Sequence, residues 1–248
     1  MGNVQIPSTL QNKARQKKSI FNSSSTVFLA VVNTKKGIDT EISLLNHFVL
    51  KRGITDVVAT INIHDLNGDL IDSLEIQVSQ RRVYSFRLSD HVEHEFIGSI
   101  YVLFNSGENL AVPFCAVMCV IQTSNSVCGV HTYGRRLEQK ELGTGIDLQS
   151  TIETGWTLRD DTDIQSFAVL HGSHFELDLD IKIECTNHLG YDLIIETSEK
   201  LLPFGTLILM PQTLCPEIVK HLNGEVGHAK VHINGLSGIF PRMLCGNL

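Results

Sequence analysis

The chain has 248 residues, 42% of them hydrophobic and 19% charged, enough to bury a core in one large or two small domains. Its net charge of −7 is unevenly spread, because residues 1–25 hold Lys13, Arg15, Lys17 and Lys18 and no acid. The acidic remainder argues against general affinity for nucleic acid or anionic membrane, and no apolar run reaches the ~18 residues of a membrane span.

Residues 1–25, basic and rich in Ser, Asn and Gln, read as a disordered tail. The stretch before Ser23 lacks the apolar core of a secretory signal. The six cysteines are Cys115, Cys119, Cys128, Cys185, Cys215 and Cys245, with no C-x-x-C pair. Most sit in apolar runs, where a free thiol behaves as a small hydrophobe, so reduced cysteines and a cytoplasmic protein are expected.

From Thr26 the signal has period two and is rich in β-branched residues. Thr26–Asn33 is the first apolar run, turned by Lys35-Lys36-Gly37, and Ile42–Leu50 is read as the next strand. Val57–Asp65 alternates Val57, Ala59, Ile61 and Ile63 with Val58, Thr60, Asn62 and His64, the pattern of a half-buried strand. Asn67-Gly68 then predicts a hairpin to Ile71–Val78. Further strands are expected over Arg82–Leu88, Ser99–Phe104, Val112–Thr123 and Val127–Tyr133. Within these, Phe114–Ile121 does not alternate and is expected to be buried on both faces, against a neighbouring unit. Residues 135–153 change character, with a charged Arg135–Glu141 run and Gly143 and Gly145, and read as a linker. Strands resume over Phe167–Leu170, Phe175–Cys185, Asp192–Thr197, Leu201–Met210, Ala229–Ile233 and Phe240–Cys245, with one short helix over Leu214–Leu222.

Part of this order repeats. Gly98–Asn105 leading to Val112-Pro113-Phe114 matches Gly227–Asn234 leading to Phe240-Pro241-Arg242. Ile61–Asp69 matches Ile183–Asp192 with one extra residue in the turn, and Arg82–His91 matches Phe204–Thr213. The expected fold is therefore all-β: two tandem antiparallel sandwiches, an internal duplication, at 26–134 and 154–248, with no alternating helices of a doubly wound enzyme.

Two segments of the first unit carry a family resemblance. Val78-Ser79-Gln80-Arg81-Arg82 precedes Phe86–Asp90, and later comes Val127-Cys128-Gly129-Val130-His131-Thr132-Tyr133-Gly134-Arg135. This layout resembles the small β-sandwich of the sensory-rhodopsin-transducer type over residues 57–136. The resemblance implies a non-catalytic, oligomeric binding role. Asn105–Gln122 is inserted relative to that pattern, and no site residue is carried across.

Candidate chemistry is sparse. His131, Tyr133, Arg135 and Arg136 alternate on one strand and could hold a carboxylate or phosphate. The single tryptophan, Trp156, stands beside Arg159 and the acids Asp160, Asp161 and Asp163, a grouping that suits a sugar platform, a calcium loop without the D-x-D-x-D-G order, or an entry loop with Trp156 plugging an interface. His171-Gly172-Ser173-His174 and His91-Val92-Glu93-His94 have i,i+3 imidazoles, which point to opposite faces of a strand and make no metal pair. No nucleophile elbow, phosphate loop or dinucleotide fingerprint is present. No cofactor is expected. The leading expectation is a homo-oligomeric binding or scaffold module for a protein or glycan, without nucleic-acid binding or membrane insertion. An enzyme with a site dispersed over the junction (His131, Arg135, Trp156, His171) and a self-assembling structural subunit are the alternatives.

Overall fold

A computed structural model describes residues 23–80, 82–93, 95–108, 110–113, 115–136, 149–161, 164–236 and 243–247. Most of the expected basic tail and the centre of the expected linker lie outside the described residues. The first half contains β1 (Ser24–Asn33), β2 (Asp39–Asn46), helix α1 (His47–Arg52), β3 (Val57–Asp65), β4 (Leu70–Val78), β5 (Tyr84–Arg87), β6 (Glu95–Ser106), β7 (Cys115–Gln122), β8 (Val127–Tyr133) and β9 (Arg135–Arg136). The second contains β10 (Gln149–Leu158), β11 (Asp160–Asp161), β12 (Ile164–His171), β13 (Leu177–Thr186), β14 (Asp192–Leu201), β15 (Thr206–Leu209), helices α2 (Pro211–Leu214) and α3 (Glu217–Leu222), β16 (Gly227–Leu236) and β17 (Met243–Asn247).

The protein is all-β and its strand pairs are antiparallel. In the first half the sheets run β4-β3-β6-β1-β9 and β5-β2-β7-β8. In the second they run β14-β13-β16-β10 and β15-β12-β17, with β11 folded back on β12. Strand for strand, β4-β3-β6-β1 corresponds to β14-β13-β16-β10, and β5-β2-β7 to β15-β12-β17. Period-two burial drives this: Val57, Ala59, Ile61 and Ile63 are fully buried, and so alternate residues of β13 from Leu177 to Cys185 face inward. Each pair of sheets closes on its own hydrophobic cluster.

The hairpin turns β3–β4 and β13–β14 make the same hydrogen bonds. Asp65 Oδ1 accepts from the Asn67 and Asp69 amides, and Asn187 Oδ1 from those of Leu189 and Tyr191. Gly68 (φ 92°) and Gly190 (φ 83°) occupy the left-handed position of each. The turns are thus of equal length. The unequal residue is Ile71, skipped by a bulge where Ile63 faces Asp72 and His64 faces Leu70.

Three further expectations are corrected. The run Ile42–Leu50 divides after Asn46, because His47–Arg52 coils into α1 and ends on left-handed Gly53 (φ 69°), whose amide bonds the Val49 carbonyl. The helix expected over Leu214–Leu222 is confined to Glu217–Leu222, separated from α2, which ends at Leu214, by Cys215 and Pro216, the latter without an amide hydrogen to continue a helix. Burial on both faces falls on β1 and β6 rather than on β7. Outside the first core, β7 buries Ala116 completely but leaves Met118 and Val120 half-exposed. On β1, Phe28, Ala30 and Val32 enter that core while Leu29, 4% exposed, faces the second half.

Candidate functional site

The outer face of β1 and β6 meets β12 and β15, forming a seam between the halves. On β12, Ala168 and Leu170 point into the second core, so Phe167, Val169 and His171 point to the seam. At one end of the seam the β3–β4 turn packs on the Pro203-Phe204-Gly205 turn. The Thr206 amide donates to the Leu66 carbonyl at 2.9 Å, and Tyr101 Oη donates to the Gly172 carbonyl. A Cβ on Gly68 would overlap the Pro203 carbonyl, so the fit requires glycine.

Four rings gather here. His64 stacks on Phe204 at 5.1 Å between centroids, and Tyr101 and His174 meet the same phenyl ring edge-on at 5.4 and 5.0 Å. Phe204 itself adopts φ 57°, a left-handed conformation that bulky side chains rarely take, and this ring packing holds it there. His64 is 5% exposed and its Nδ1 has no hydrogen-bond partner among the described residues. Burial pushes its basicity down against the opposing pull of Asp65, and burial likewise lowers that of His174. His171 is pushed down to about 3 by burial alone, with Nδ1 3.1 Å from Thr206 Oγ1. The seam therefore holds neutral imidazoles at neutral pH.

Two cavities continue along it. One of about 190 Å³ lies between β1, β8, β12 and β17 and is bordered by both His131 and His171. The other, a cleft of about 420 Å³, opens at the β1–β2 turn. Its walls are Leu29, Val31 and Ile97 from the first half and Phe167, Val169 and Ile208 from the second; Asn33, Lys36 and Glu95 are its polar residues.

The expected site residues are only partly brought together. His131, exposed on β8, and His171, buried on β12, share the smaller cavity. Arg135 does not continue the face of His131. The chain leaves β8 at Gly134, where a Cβ would press on Cys115 and Ser24, and Arg135 pairs with Ser25 of β1 in the other sheet. The Arg135 guanidinium donates to the Arg136 carbonyl. The Tyr133 backbone pairs with Ala116, and its side chain is outside the described residues. Trp156 is neither an exposed platform nor an interface plug: at 1% exposure it fills the core of the second half, because it falls in the inward register of β10. Arg159 is exposed, its amide donating to Ser166 Oγ.

His64, Tyr101 and Phe204 were not among the expected residues. His64 belonged to the polar phase of Val57–Asp65, which marks a second, half-buried face without saying what covers it. Among the described residues no three His, Cys, Asp or Glu side chains are placed to hold a metal ion. Cys115, Cys119 and Cys185 are buried free thiols pushed up to about 12, whereas Cys128 is exposed and Cys215 and Cys245 are partly buried. No helix among the described residues is long and apolar enough to cross a membrane. No family model matches the chain, and no curated protein is significantly similar to it.

Proposed function

We propose that this chain is a non-catalytic binding module that receives apolar groups of its partner in the seam cleft. The observation that carries this reading is the cleft itself: about 420 Å³, at the junction of two units, apolar in its walls and polar only at Asn33, Lys36 and Glu95. Small-molecule sites are typically clefts of ~300–1,000 Å³ with such linings, often between domains. The resemblance to the transducer-type sandwich supports the same role, and the repeated strand order supports an internal duplication as its origin. A glycan partner is disfavoured, since the lone tryptophan is buried. Nile red, a neutral apolar fluorophore, is expected to bind the native chain at one site and to lose it in Ile97→Trp, which fills the cleft from its half-exposed rim. Absence of saturable binding, or binding untouched by Ile97→Trp, would overturn the reading.

A second reading, a dispersed enzyme site, draws on the smaller cavity shared by His131 and His171. His171 is poorly suited to general-base work there: an imidazole held near 3 is a weak base at neutral pH, and no carboxylate is hydrogen-bonded to it among the described residues.

A further inference from the structure

We propose that the seam cleft binds an unbranched aliphatic monocarboxylate, with the hydrocarbon chain between β1 and β12 and the carboxylate at Lys36. The inference rests on the binding reading above and specifies its ligand class.

The walls select the chain. Leu29, Val31, Phe167, Val169 and Ile208 offer no hydrogen-bond donor or acceptor from their side chains. A polar group of a ligand set against these side chains would lose its water without a partner from them, at a cost that disfavours sugars and nucleotides. An extended methylene chain has no such group and fills a narrow crevice efficiently. Both halves of the protein contribute walls, so the chain would be gripped from two sides.

The mouth selects the head group. Among the described residues two ionic side chains line it, Lys36 and Glu95, and Lys35 pairs with the second. Lys35 Nζ is 3.1 Å from Glu95 Oε1 and neutralises it. Asn33 Oδ1 accepts the Lys36 amide, which fixes the turn that carries this lysine. Among the described residues the Lys36 amine makes no ion pair, so the mouth keeps one positive charge beside an apolar interior. That combination matches a molecule with one anionic end and a saturated tail, and it opposes a cationic amphiphile of the same length.

The test is calorimetric titration of the full chain with decanoate, decan-1-ol and decyltrimethylammonium, the two ionic ligands below their micelle concentrations and the alcohol below its solubility limit. Decanoate is expected to bind one site and to bind more tightly than decan-1-ol by about fivefold, the worth of a partly exposed ion pair. Decyltrimethylammonium should be weaker still, and Lys36→Glu should reverse the order of the two charged ligands. Ile97→Trp should abolish binding of all three. If no ligand binds, or Ile97→Trp changes nothing, the cleft is not a binding site and both this inference and the reading beneath it fall. If all three bind alike and Lys36→Glu has no effect, the cleft stands as an apolar site and the carboxylate assignment alone is overturned. Lys36 and Ile97 are at the rim, and each variant's denaturation midpoint checks that it folds.

Discussion

Acid should weaken the protein through the imidazoles of the seam, and His171 allows the effect to be sized. Its basicity is depressed in the folded state, to about 3 from an ordinary value of 6.5. The unfolded chain therefore binds a proton below about pH 6.5 that the folded chain refuses until near pH 3. Stability is fully present above the ordinary value and is lost as pH falls through the window between the two, at up to about 1.4 kcal/mol per pH unit. By pH 5 the loss from this one residue is about 2 kcal/mol. His64 and His174 shift in the same direction and add to it. The assay is urea denaturation at pH 7.5, 6 and 5 for the wild type and for His171→Gln, whose amide can still meet Thr206 Oγ1. The variant should start less stable and lose about 2 kcal/mol less over that range. Parallel pH dependences for the two proteins would refute the reasoning, because they would mean that His171 exchanges protons in the folded state as it does in water.

The paired hairpin glycines isolate the seam. Gly190→Ala should cost roughly 1–2 kcal/mol from the left-handed backbone alone, since no atom of the described residues lies within 4 Å of the added methyl. Gly68→Ala has the same backbone cost plus the clash with Pro203, so its denaturation midpoint should fall well below that of Gly190→Ala; equal midpoints would contradict the packing of the β3–β4 turn on the second half. Ala116 is fully buried on β7, so Ala116→Asp, which places an unpaired charge there, should abolish soluble folded protein. A well-behaved variant would show that the outer face of β7 is open to water at this position.

The architecture was legible because it rests on short-range rules. Alternation in Val57–Asp65 and the Asn67-Gly68 turn specify a strand, its inward face and its hairpin without reference to the rest of the chain. The three matched segments of the repeat fall on strands that hold equivalent places in the two sets of sheets. What failed were readings that required knowing a distant neighbour. His131 and Arg135 alternate in sequence, yet Gly134 moves the chain from one sheet to another between them. Trp156 sits among acids in sequence but takes the inward register of its strand. The ring cluster joins residues near 64, 101, 174 and 204, and none of these segments carries a local sign of the others.

The way the two halves meet is asymmetric, and the asymmetry bears on assembly. The first half contributes its β4-β3-β6-β1 sheet to the seam, whereas the second contributes its other sheet, β15-β12-β17. A contact of this head-to-tail kind is open-ended: among the described residues the face equivalent to each seam partner has no sheet packed on it, and matching faces of that kind would propagate into filaments. The sequence prevents the match. By pairing register Val102 corresponds to Val231, so Ser99, Tyr101 and Leu103 of the seam become His228, Lys230 and His232 on the free face of the second half. Thr60 and Asn62 become Lys182 and Glu184. On the free face of the first half, Ile42 corresponds to Ala168, so Phe167 and Val169 become Glu41 and Ser43. These faces carry Lys182, Glu184, Lys230 and Glu41 where their counterparts are uncharged, and exposed charges must be desolvated if such faces meet. Open-ended assembly through these faces is therefore disfavoured, and light scattering after size exclusion should give one discrete mass. The triple variant Glu41→Phe, Ser43→Val and Lys230→Tyr should shift that mass upward with concentration. Concentration-dependent growth already in the wild type would mean that charge on these faces does not terminate the stack.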